Sequence, residues 1–214
     1  MDAMIRLLIA DDHPVVREGL RRIVAEHPEL EVVGEAVNGD EVLTLLRRLA
    51  ADVVLLDIAM PGPGFLQVLE HVRVEHPSVA VLVLSVHPED QYAVRALRSG
   101  AAGYLTKDHS PEQLVDAIRK VHRGGKYVSP TLAERLATDL ATAGARHARH
   151  ELLSHREYEV LCLLGSGRTV KEISEELRLS PKTISTYRAR VLEKMQATTN
   201  ADLVRYAAQH GLIR

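Results

Sequence analysis

Five polar side chains in the first half of the sequence end or directly follow short apolar runs, and their chemistry is complementary. Asp11 and Asp12 follow IRLLIA, Asp57 ends VVLLD, Ser85 ends VAVLVLS, and Lys107 follows AGYLT. If they meet, the three carboxylates repel one another, and a hard divalent cation with oxygen ligands, for which Mg²⁺ is the natural choice, relieves that repulsion. A carboxylate beside such a cation and an ammonium can attack a phosphoryl group, which a hydroxyl and the ammonium then hold. The residue types therefore predict a phosphoryl-accepting site with Asp57 as its nucleophile.

The apolar runs and the amphipathic stretches between them predict how these side chains are brought together. Strands are predicted at residues 5–10, 31–36, 53–57, 79–85 and 102–106, and helices at 15–27, 38–49, 65–76, 88–100 and 110–125. Five strand–helix units in succession indicate a five-stranded parallel sheet with helices on both faces. Because parallel strands all point the same way, the polar side chains at their ends converge on one edge of the sheet, where open α/β sheets bind ligands.

Residues 5 to about 125 resemble a response-regulator receiver domain, which has the flavodoxin-like fold of the CheY type. The resemblance is carried by the Asp11-Asp12 pair, by Asp57 shortly before Met60-Pro61-Gly62, by Ser85, and by Lys107 at the end of GYLTK. It implies that Asp57 accepts a phosphoryl group from a histidine kinase and that Ser85 follows the phosphate.

The resemblance also implies roles for the residues around Asp57. It places Asp12, Asp57 and the backbone carbonyl of Ala59 on Mg²⁺, with Asp11 assisting. It assigns to Tyr104 the part of an aromatic switch that swings inward. The alternative for Tyr104 is a half-buried tyrosine of the fifth strand.

The loop after Asp57 departs from the family pattern. The family sequence is Met-Pro-Gly, then two residues that include Asp or Asn, then Gly, whereas MPGPG at residues 60–64 has only Pro63 between its glycines. The loop is therefore one residue short beside the predicted site. A regulator of the same architecture that is controlled without phosphorylation, by dimerisation or by another ligand, is the alternative that this loop leaves open.

Composition and charge describe an ordinary globular chain with two unlike halves. The 214 residues are 46% hydrophobic and 26% charged, and no run of 18 apolar residues is available for a membrane span. Residues 1–130 carry 14 basic and 19 acidic side chains, a balance of −5, whereas residues 131–214 carry 13 and 10, a balance of +3. The N-terminus runs directly into acids and lacks a signal-peptide pattern, which predicts a cytoplasmic location. The basic half is a candidate for binding a polyanion.

Helices alone are predicted in the second half. SHRE at 154–157 and TVKE at 169–172 are capping boxes, SPKT at 180–183 opens a helix to about residue 195, and a last helix spans 199–211. Two helices joined by the short link RLS, the second basic on one face, form a helix-turn-helix pattern. Residues 150–214 resemble the LuxR-type helix-turn-helix domain of the NarL/FixJ regulators, through LSHRE, GRTVKEISEEL and LSPKTISTYRARVLEKM. The resemblance implies double-stranded DNA as a partner and pairing of two such domains through the last helix.

The helix that begins at Lys182 is predicted to lie in the major groove. By the family resemblance, the base-facing positions are Ser185, Thr186 and Ala189. These side chains are small, so sequence readout is expected to depend on Arg188 or on DNA shape. The residues expected to contact phosphates, which position a protein on DNA without specifying a sequence, are Lys171, Thr183, Tyr187 and Arg190. Lys182 is a further candidate on the outward face.

Three segments are predicted: a receiver domain at 1–125, a linker with a short helix at 126–149, and a DNA-binding domain at 150–214. The leading hypothesis is a transcription regulator of a two-component system, a homodimer when active and not an enzyme. An aspartyl-phosphate hydrolase would need a second acid two residues after Asp57, where the chain has Ala59. A quorum sensor would need an aromatic ligand pocket, yet the sequence has no Trp and one Phe.

Overall fold

The computed structural model describes residues 4–86, 89–134, 149–177 and 179–213. The chain divides into two units, Met1–Ala143 and Gly144–Arg214. The first is built on a β-sheet and the second on helices.

Strands and helices alternate along the first unit, as the sequence predicts. The strands are β1 (Ile5–Ala10), β2 (Leu30–Ala36), β3 (Val53–Asp57), β4 (Ala80–Ser85) and β5 (Gly103–Thr106). The helices are α1 (Pro14–Ala25), α2 (Gly39–Leu46), α3 (Phe65–Glu75), α4 (Glu89–Arg98) and α5 (Pro111–His122). Predicted and observed boundaries differ by at most three residues.

All five strands are parallel, in the order β2-β1-β3-β4-β5. This order and the intervening helices confirm the predicted flavodoxin-like α/β class. At the carboxyl ends of the strands, Ala10 pairs with Leu56 and Ser85 pairs with Thr106. The residues at these ends and just beyond them are therefore close neighbours in space.

Branched apolar side chains cover both faces of the sheet. On one face, strand residues pack with α1 and α5 in a buried cluster that includes Leu7, Ile9, Leu55, Leu82, Leu20, Leu114 and Ile118. The strand positions in between, among them Leu8, Val54, Leu56 and Val83, are equally buried. A sheet buried on both faces leaves the ends of its strands as the place for polar chemistry.

Side-chain hydrogen bonds fix where the helices begin. Ser110 and Gln113 form a complete capping box at the start of α5. At α2, the Asn38 side chain accepts a hydrogen bond from the backbone N–H of Glu41, as in a capping box. The Glu41 carboxylate, however, accepts from the backbone N–H of Val37 at 2.9 Å. The capping box at α2 is thus only half formed, because this carboxylate reaches one residue further back.

The chain returns to the sheet after α5, within the segment that the sequence predicts as a linker. The N–H of Tyr127 donates to the Ala102 carbonyl at 3.0 Å, and the N–H of Tyr104 donates to the Tyr127 carbonyl at 3.1 Å. Tyr127 therefore forms a parallel bridge at the edge of the sheet, beside β5. Gly103 permits this approach, because a Cβ atom there would lie 2.8 Å from the Tyr127 carbonyl oxygen. We call this arrangement the edge bridge.

The described residues of the second unit form helices and no strand. A 3₁₀ turn at Arg149–Leu152 precedes α6 (His155–Gly165), α7 (Val170–Glu176), α8 (Pro181–Met195) and α9 (Asn200–Gln209). Among the described helices of the chain, none combines the length and apolar character that crossing a bilayer requires.

The predicted caps and a buried apolar core organise this second unit. Ser154 with Glu157 and Thr169 with Glu172 form complete capping boxes. The buried core is assembled from all four helices and includes Leu161, Ile173, Ile184, Val191 and Leu203. Because Ile184 and Val191 face inward, the opposite side of α8 is left towards solvent.

Candidate functional site

The carboxyl ends of four strands bring the predicted phosphoacceptor residues together. Asp11 follows β1, Asp57 ends β3, Ser85 ends β4, and Lys107 follows β5. Asp11, Asp57 and Ser85 are each at most 2% exposed. We call the group formed by Asp11, Asp12, Asp57 and Lys107 the acidic pocket.

Lys107 bridges two buried carboxylates. Its Nζ lies 2.5 Å from Asp11 Oδ2 and 3.0 Å from Asp57 Oδ1. Its backbone N–H donates to the Ser85 carbonyl at 2.7 Å, which fixes the start of the loop after β5. The lysine is thus held by the sheet edge in a position to neutralise part of the pocket's negative charge.

The pocket changes the acidity of its groups. Burial raises the pKa of Asp57 above its ordinary value, and the neighbouring carboxylates of Asp11 and Asp12 raise it further, against the opposing effect of Lys107. Burial alone would lower the pKa of Lys107, but Asp57 and Asp11 together hold it above its ordinary value. Lys107 is therefore held as a protonated cation beside two buried carboxyl groups.

His13 joins the pocket at its solvent side, although sequence reasoning did not select it. The ligand atoms of Asp11, Asp12, His13 and Asp57 all lie within 4.8 Å of one another. Its ring faces the acids, because His13 Nδ1 lies 3.3 Å from Asp11 Oδ1 and 2.8 Å from Asp12 Oδ1. Its position in the sequence, directly after Asp11 and Asp12, could have identified it as a further candidate.

The donor set of the pocket fits a hard divalent cation. Asp57 Oδ2 and Asp12 Oδ1 are buried, and neither accepts a hydrogen bond within the described chain. Asp12 Oδ1 does lie 2.8 Å from His13 Nδ1, but without hydrogen-bonding geometry. Buried carboxylate oxygens that accept no hydrogen bond destabilise the fold unless a cation binds them. Oxygen ligands of this kind are those that Mg²⁺ prefers. Ala59, whose carbonyl the resemblance adds to this set, is half-buried.

Tyr104 is fully buried in β5, at 0% exposure. The sequence left open whether this ring swings inward or remains half-buried, and in this structure it lies inside. Its backbone N–H is the donor to the edge bridge, so the same residue contacts both the interior of the sheet and the segment that leaves α5.

The shortened loop after Asp57 is fixed to the start of α2. The N–H of Gly39 donates to the Pro61 carbonyl at 3.2 Å. A Cβ atom on Gly39 would lie 2.9 Å from both Pro63 Cγ and the Pro63 carbonyl oxygen, so glycine is needed for this contact. Gly62 adopts φ +95°, which favours glycine. The loop is therefore packed against a helix although it is one residue shorter than the family pattern.

The solvent-facing side of α8 carries most of the predicted DNA contacts. Lys182, Ser185, Thr186, Ala189 and Arg190 are exposed, whereas Thr183, Tyr187 and Arg188 are half-buried. Lys171 is exposed on α7, the preceding helix of the helix-turn-helix pair. The hydroxyls of Ser185 and Thr186 donate to the carbonyls of Pro181 and Lys182, so they retain acceptor lone pairs towards solvent.

Arg188, on which sequence readout was expected to depend, is hydrogen-bonded within the protein. Its Nε donates to Asn200 Oδ1 at 2.7 Å, which ties α8 to the first residue of α9. Asn200 was missed by sequence reasoning because it lies twelve residues away and no local pattern joins the two.

A buried carboxylate also ties α8 to α6. Lys194 Nζ donates to Glu157 Oε2 at 2.6 Å, and the same carboxylate caps the N–H of Ser154 at 2.8 Å. Burial alone would raise the pKa of Glu157, but the hydrogen bonds from Lys194 and Ser154 hold it below its ordinary value. This contact fixes the C-terminal half of α8 against the helices behind it.

Comparison with known families matches both units. Residues 7–119 match the family described as "Response regulator receiver domain". Residues 151–207 match the family described as "Bacterial regulatory proteins, luxR family". The first match covers the acidic pocket, and the second covers α6 to α8 and most of α9.

Similar proteins extend over nearly the whole chain. The sequence is 39% identical over 210 residues to the response regulator GacA of Pseudomonas aeruginosa, covering 98% of each chain. It is 37% identical to the response regulator UvrY of Escherichia coli, covering 98% of this chain and 96% of that one. Among solved structures, RcsB from Salmonella enterica serovar Typhimurium bound to promoter P1flhDC with the phosphomimetic BeF3⁻ is 26% identical, with a TM-score of 0.58 and coverage of 96% and 98%.

Proposed function

Because the chain belongs to the response regulators that join a receiver domain to a LuxR-type DNA-binding domain, we propose that phosphorylation of Asp57 by a histidine kinase controls its binding to DNA. The observation that carries this proposal is the state of the Asp57 carboxylate. One oxygen contacts Lys107 at 3.0 Å, and the other is buried and accepts no hydrogen bond from the described residues. An oxygen kept in this state is available to form a new bond.

The transfer step uses the groups of the acidic pocket. Asp57 Oδ2 forms a bond to phosphorus, the bond between phosphorus and the kinase imidazole nitrogen breaks, and the imidazole keeps the electron pair. The product is an acyl phosphate on Asp57. Lys107 offsets the negative charge of the phosphoryl oxygens, as charge neutralisation dominates such transfers. Ser85, at the end of the neighbouring strand, is assigned to the phosphate once it is in place.

Mg²⁺ is the proposed cofactor of this step. Asp12, Asp57 and the Ala59 carbonyl would hold it, with Asp11 assisting, and it would supply further neutralisation of phosphoryl charge. The buried Asp12 Oδ1, which accepts no hydrogen bond from the described residues, supports this assignment.

We propose that Tyr104 couples phosphorylation of Asp57 to the DNA-binding domain. In the active state two copies of the chain pair as a homodimer, and the α8 helix of each lies in the major groove of one half-site of double-stranded DNA. The exposed Lys182, Ser185, Thr186 and Ala189 support this orientation of α8. We assign the receiver to residues 1–125, the connection to 126–149, and DNA binding to 150–214.

A DNA partner implies that the protein acts in the cytoplasm, as a regulator and not as an enzyme. Hydrolysis of the acyl phosphate as a main activity would call for an acid two residues after Asp57, and Ala59 supplies none. Control without phosphorylation was suggested by the short loop, but that loop is packed against α2 at Gly39 and leaves Asp57 in the pocket.

One experiment tests the proposed function. The protein is incubated with acetyl phosphate and Mg²⁺ and weighed intact. The wild type is expected to gain one phosphoryl group, Asp57→Asn none, and Asp116→Asn, which alters an exposed acid of α5, one as in the wild type. Equal labelling of Asp57→Asn would reject Asp57 as the acceptor, and absence of labelling in the wild type would favour control without phosphorylation.

A further inference from the structure

Arg188 and Asn200 join the outward side of α8 to the start of α9. Arg188 Nε donates to Asn200 Oδ1 at 2.7 Å, and both side chains are half-buried. Asn200 is the first residue of α9, directly after the Thr199 cap whose side chain accepts from Asp202 N. The amide that meets Arg188 is therefore presented from a fixed helix terminus.

The partner of Arg188 is neutral, which distinguishes this arginine from Arg156 and Arg205 in the second unit. Arg156 pairs with Glu159 at 2.7 Å, and Arg205 pairs with Asp202 at 2.6 Å. Within the described part of the chain, no carboxylate pairs with Arg188. An amide oxygen orients the guanidinium without cancelling its charge, so the full charge remains for an anion or acceptor outside the protein.

The hydrogen bond through Nε leaves the two terminal amino groups of Arg188 on the other side of a planar fork. That edge of a guanidinium matches two adjacent acceptor atoms, such as two phosphate oxygens or O6 and N7 of guanine. Its neighbours Ser185 and Ala189 are small and exposed, so they do not cover it. Fixing the fork beforehand reduces the side-chain entropy that Arg188 loses when it binds.

We propose that Asn200 is a positioning residue for DNA binding, which acts by orienting Arg188 towards a pair of acceptor atoms on the duplex. This inference rests on the DNA binding proposed above. It assigns a recognition role to a residue outside the helix-turn-helix pair, at the start of α9. It also makes the contribution of Arg188 dependent on the packing of α8 against α9.

A double-mutant cycle tests the proposal with the full chain. Binding of wild type, Arg188→Ala, Asn200→Ala and the double variant is measured on two probes over a range of salt. One probe is a duplex selected by the wild type from a random-sequence library, and the other is a shuffled duplex of the same composition. Arg188→Ala is expected to weaken binding to the selected duplex about tenfold or more. Asn200→Ala is expected to weaken it about three- to tenfold, with no further loss when added to Arg188→Ala.

The two kinds of acceptor give different patterns. A guanine contact predicts that the loss is confined to the selected duplex, whereas a phosphate contact predicts an equal loss on both and a salt slope lower by about one unit. In either case Asn200→Ala must show the same pattern as Arg188→Ala, more weakly.

Two controls separate positioning from folding. Gln67→Ala removes an exposed amide of α3 in the receiver and is expected to leave both affinities unchanged. Thermal unfolding of each variant detects any general loss of structure. Additive losses in the double variant, or an unchanged affinity of Asn200→Ala on both probes, would overturn the proposal. A wild type that selects no duplex from the library would instead reject the DNA-binding function itself.

Discussion

Lys107 Nζ lies 3.0 Å from Asp57 Oδ1, and the two groups reach this distance from the ends of different strands. Lys107→Met removes the cation and leaves Asp11 and Asp57 buried without it. We expect phosphoryl labelling of Asp57 by acetyl phosphate to slow about 10²-fold, because charge neutralisation of the transferring group is lost. Loss of one partner of a buried ion pair should also lower the free energy of unfolding by about 3–5 kcal/mol. A time course of intact mass and thermal unfolding measure the two effects, with Lys171→Met as the control. A wild-type labelling rate in Lys107→Met would show that the lysine has no part in transfer.

Asp12→Asn should weaken the response of the receiver to Mg²⁺. In the wild type, a bound cation relieves repulsion among the buried carboxylates and stabilises the folded state by mass action. Thermal unfolding over a Mg²⁺ titration is therefore expected to show a rising Tm for the wild type and a much smaller rise for Asp12→Asn. Asp40→Asn, which alters an exposed acid of α2, serves as the control and should respond like the wild type. Equal Mg²⁺ responses in all three proteins would remove Asp12 from the cation site.

Glu157 gives the DNA-binding domain a pH-dependent stability. Because the pKa of this carboxyl is held below its ordinary value in the fold, its ionised form contributes stability above the unfolded-state value of about 4.3. That contribution is lost as the pH falls through the lower, folded-state value. Glu157→Gln should lower the free energy of opening of α8 by about 1 kcal/mol at neutral pH, and the difference should shrink in acid. Hydrogen exchange of the α8 amides measures this, with Glu193→Gln, an exposed acid of α8, as the control. A difference that grew in acid would have the wrong sign for this explanation.

Gly103→Ala should break the edge bridge. The added methyl would lie 2.8 Å from the Tyr127 carbonyl oxygen and 2.9 Å from Leu82 Cδ1, so backbone must move. We expect a loss of about 1–3 kcal/mol in unfolding free energy and faster hydrogen exchange at the Tyr104 amide. Gly19→Ala in α1 is the contrasting variant, because nothing lies within 4 Å of its added methyl and alanine favours a helix by about 1 kcal/mol. Unchanged protection of the Tyr104 amide in Gly103→Ala would mean that Tyr127 does not cover it.

Lys171→Ala and Arg190→Ala should weaken DNA binding without regard to sequence. Both side chains are exposed on the helix-turn-helix pair and are assigned to phosphates. Each loss should lower the slope of affinity against salt by about one unit, equally on selected and shuffled duplexes. Arg21→Ala, which removes an exposed cation paired with Glu18 in the receiver, is the control and should leave the slope unchanged. A loss confined to the selected duplex would instead assign the residue to a base edge.

Sequence patterns predicted the sheet and the meeting of Asp11, Asp57 and Lys107, because strand direction alone determines which side chains share an edge. Sequence patterns could not predict contacts that depend on how elements distant in the sequence pack together. Asn200 contacts Arg188 only because α9 packs on the core. Tyr127 pairs with β5 as a single residue, and a single residue produces no alternating pattern from which a strand could be predicted. His13 could have been selected, since it follows the acid pair, but the contacts of its ring with Asp11 and Asp12 are visible only in the structure.

The edge bridge determines where the receiver can be cut away from the rest of the chain. A fragment that stops at Gly125 would lack Tyr127 and would leave the Tyr104 N–H and the Ala102 carbonyl without their partners at an open sheet edge. Unpaired strand edges recruit strands from other molecules, so such a fragment would tend to self-associate for reasons unrelated to signalling. Extending the fragment past the buried Leu132 keeps the edge covered. Self-association of the shorter fragment would result from its exposed sheet edge. Only the longer fragment would report the oligomeric state of the intact receiver.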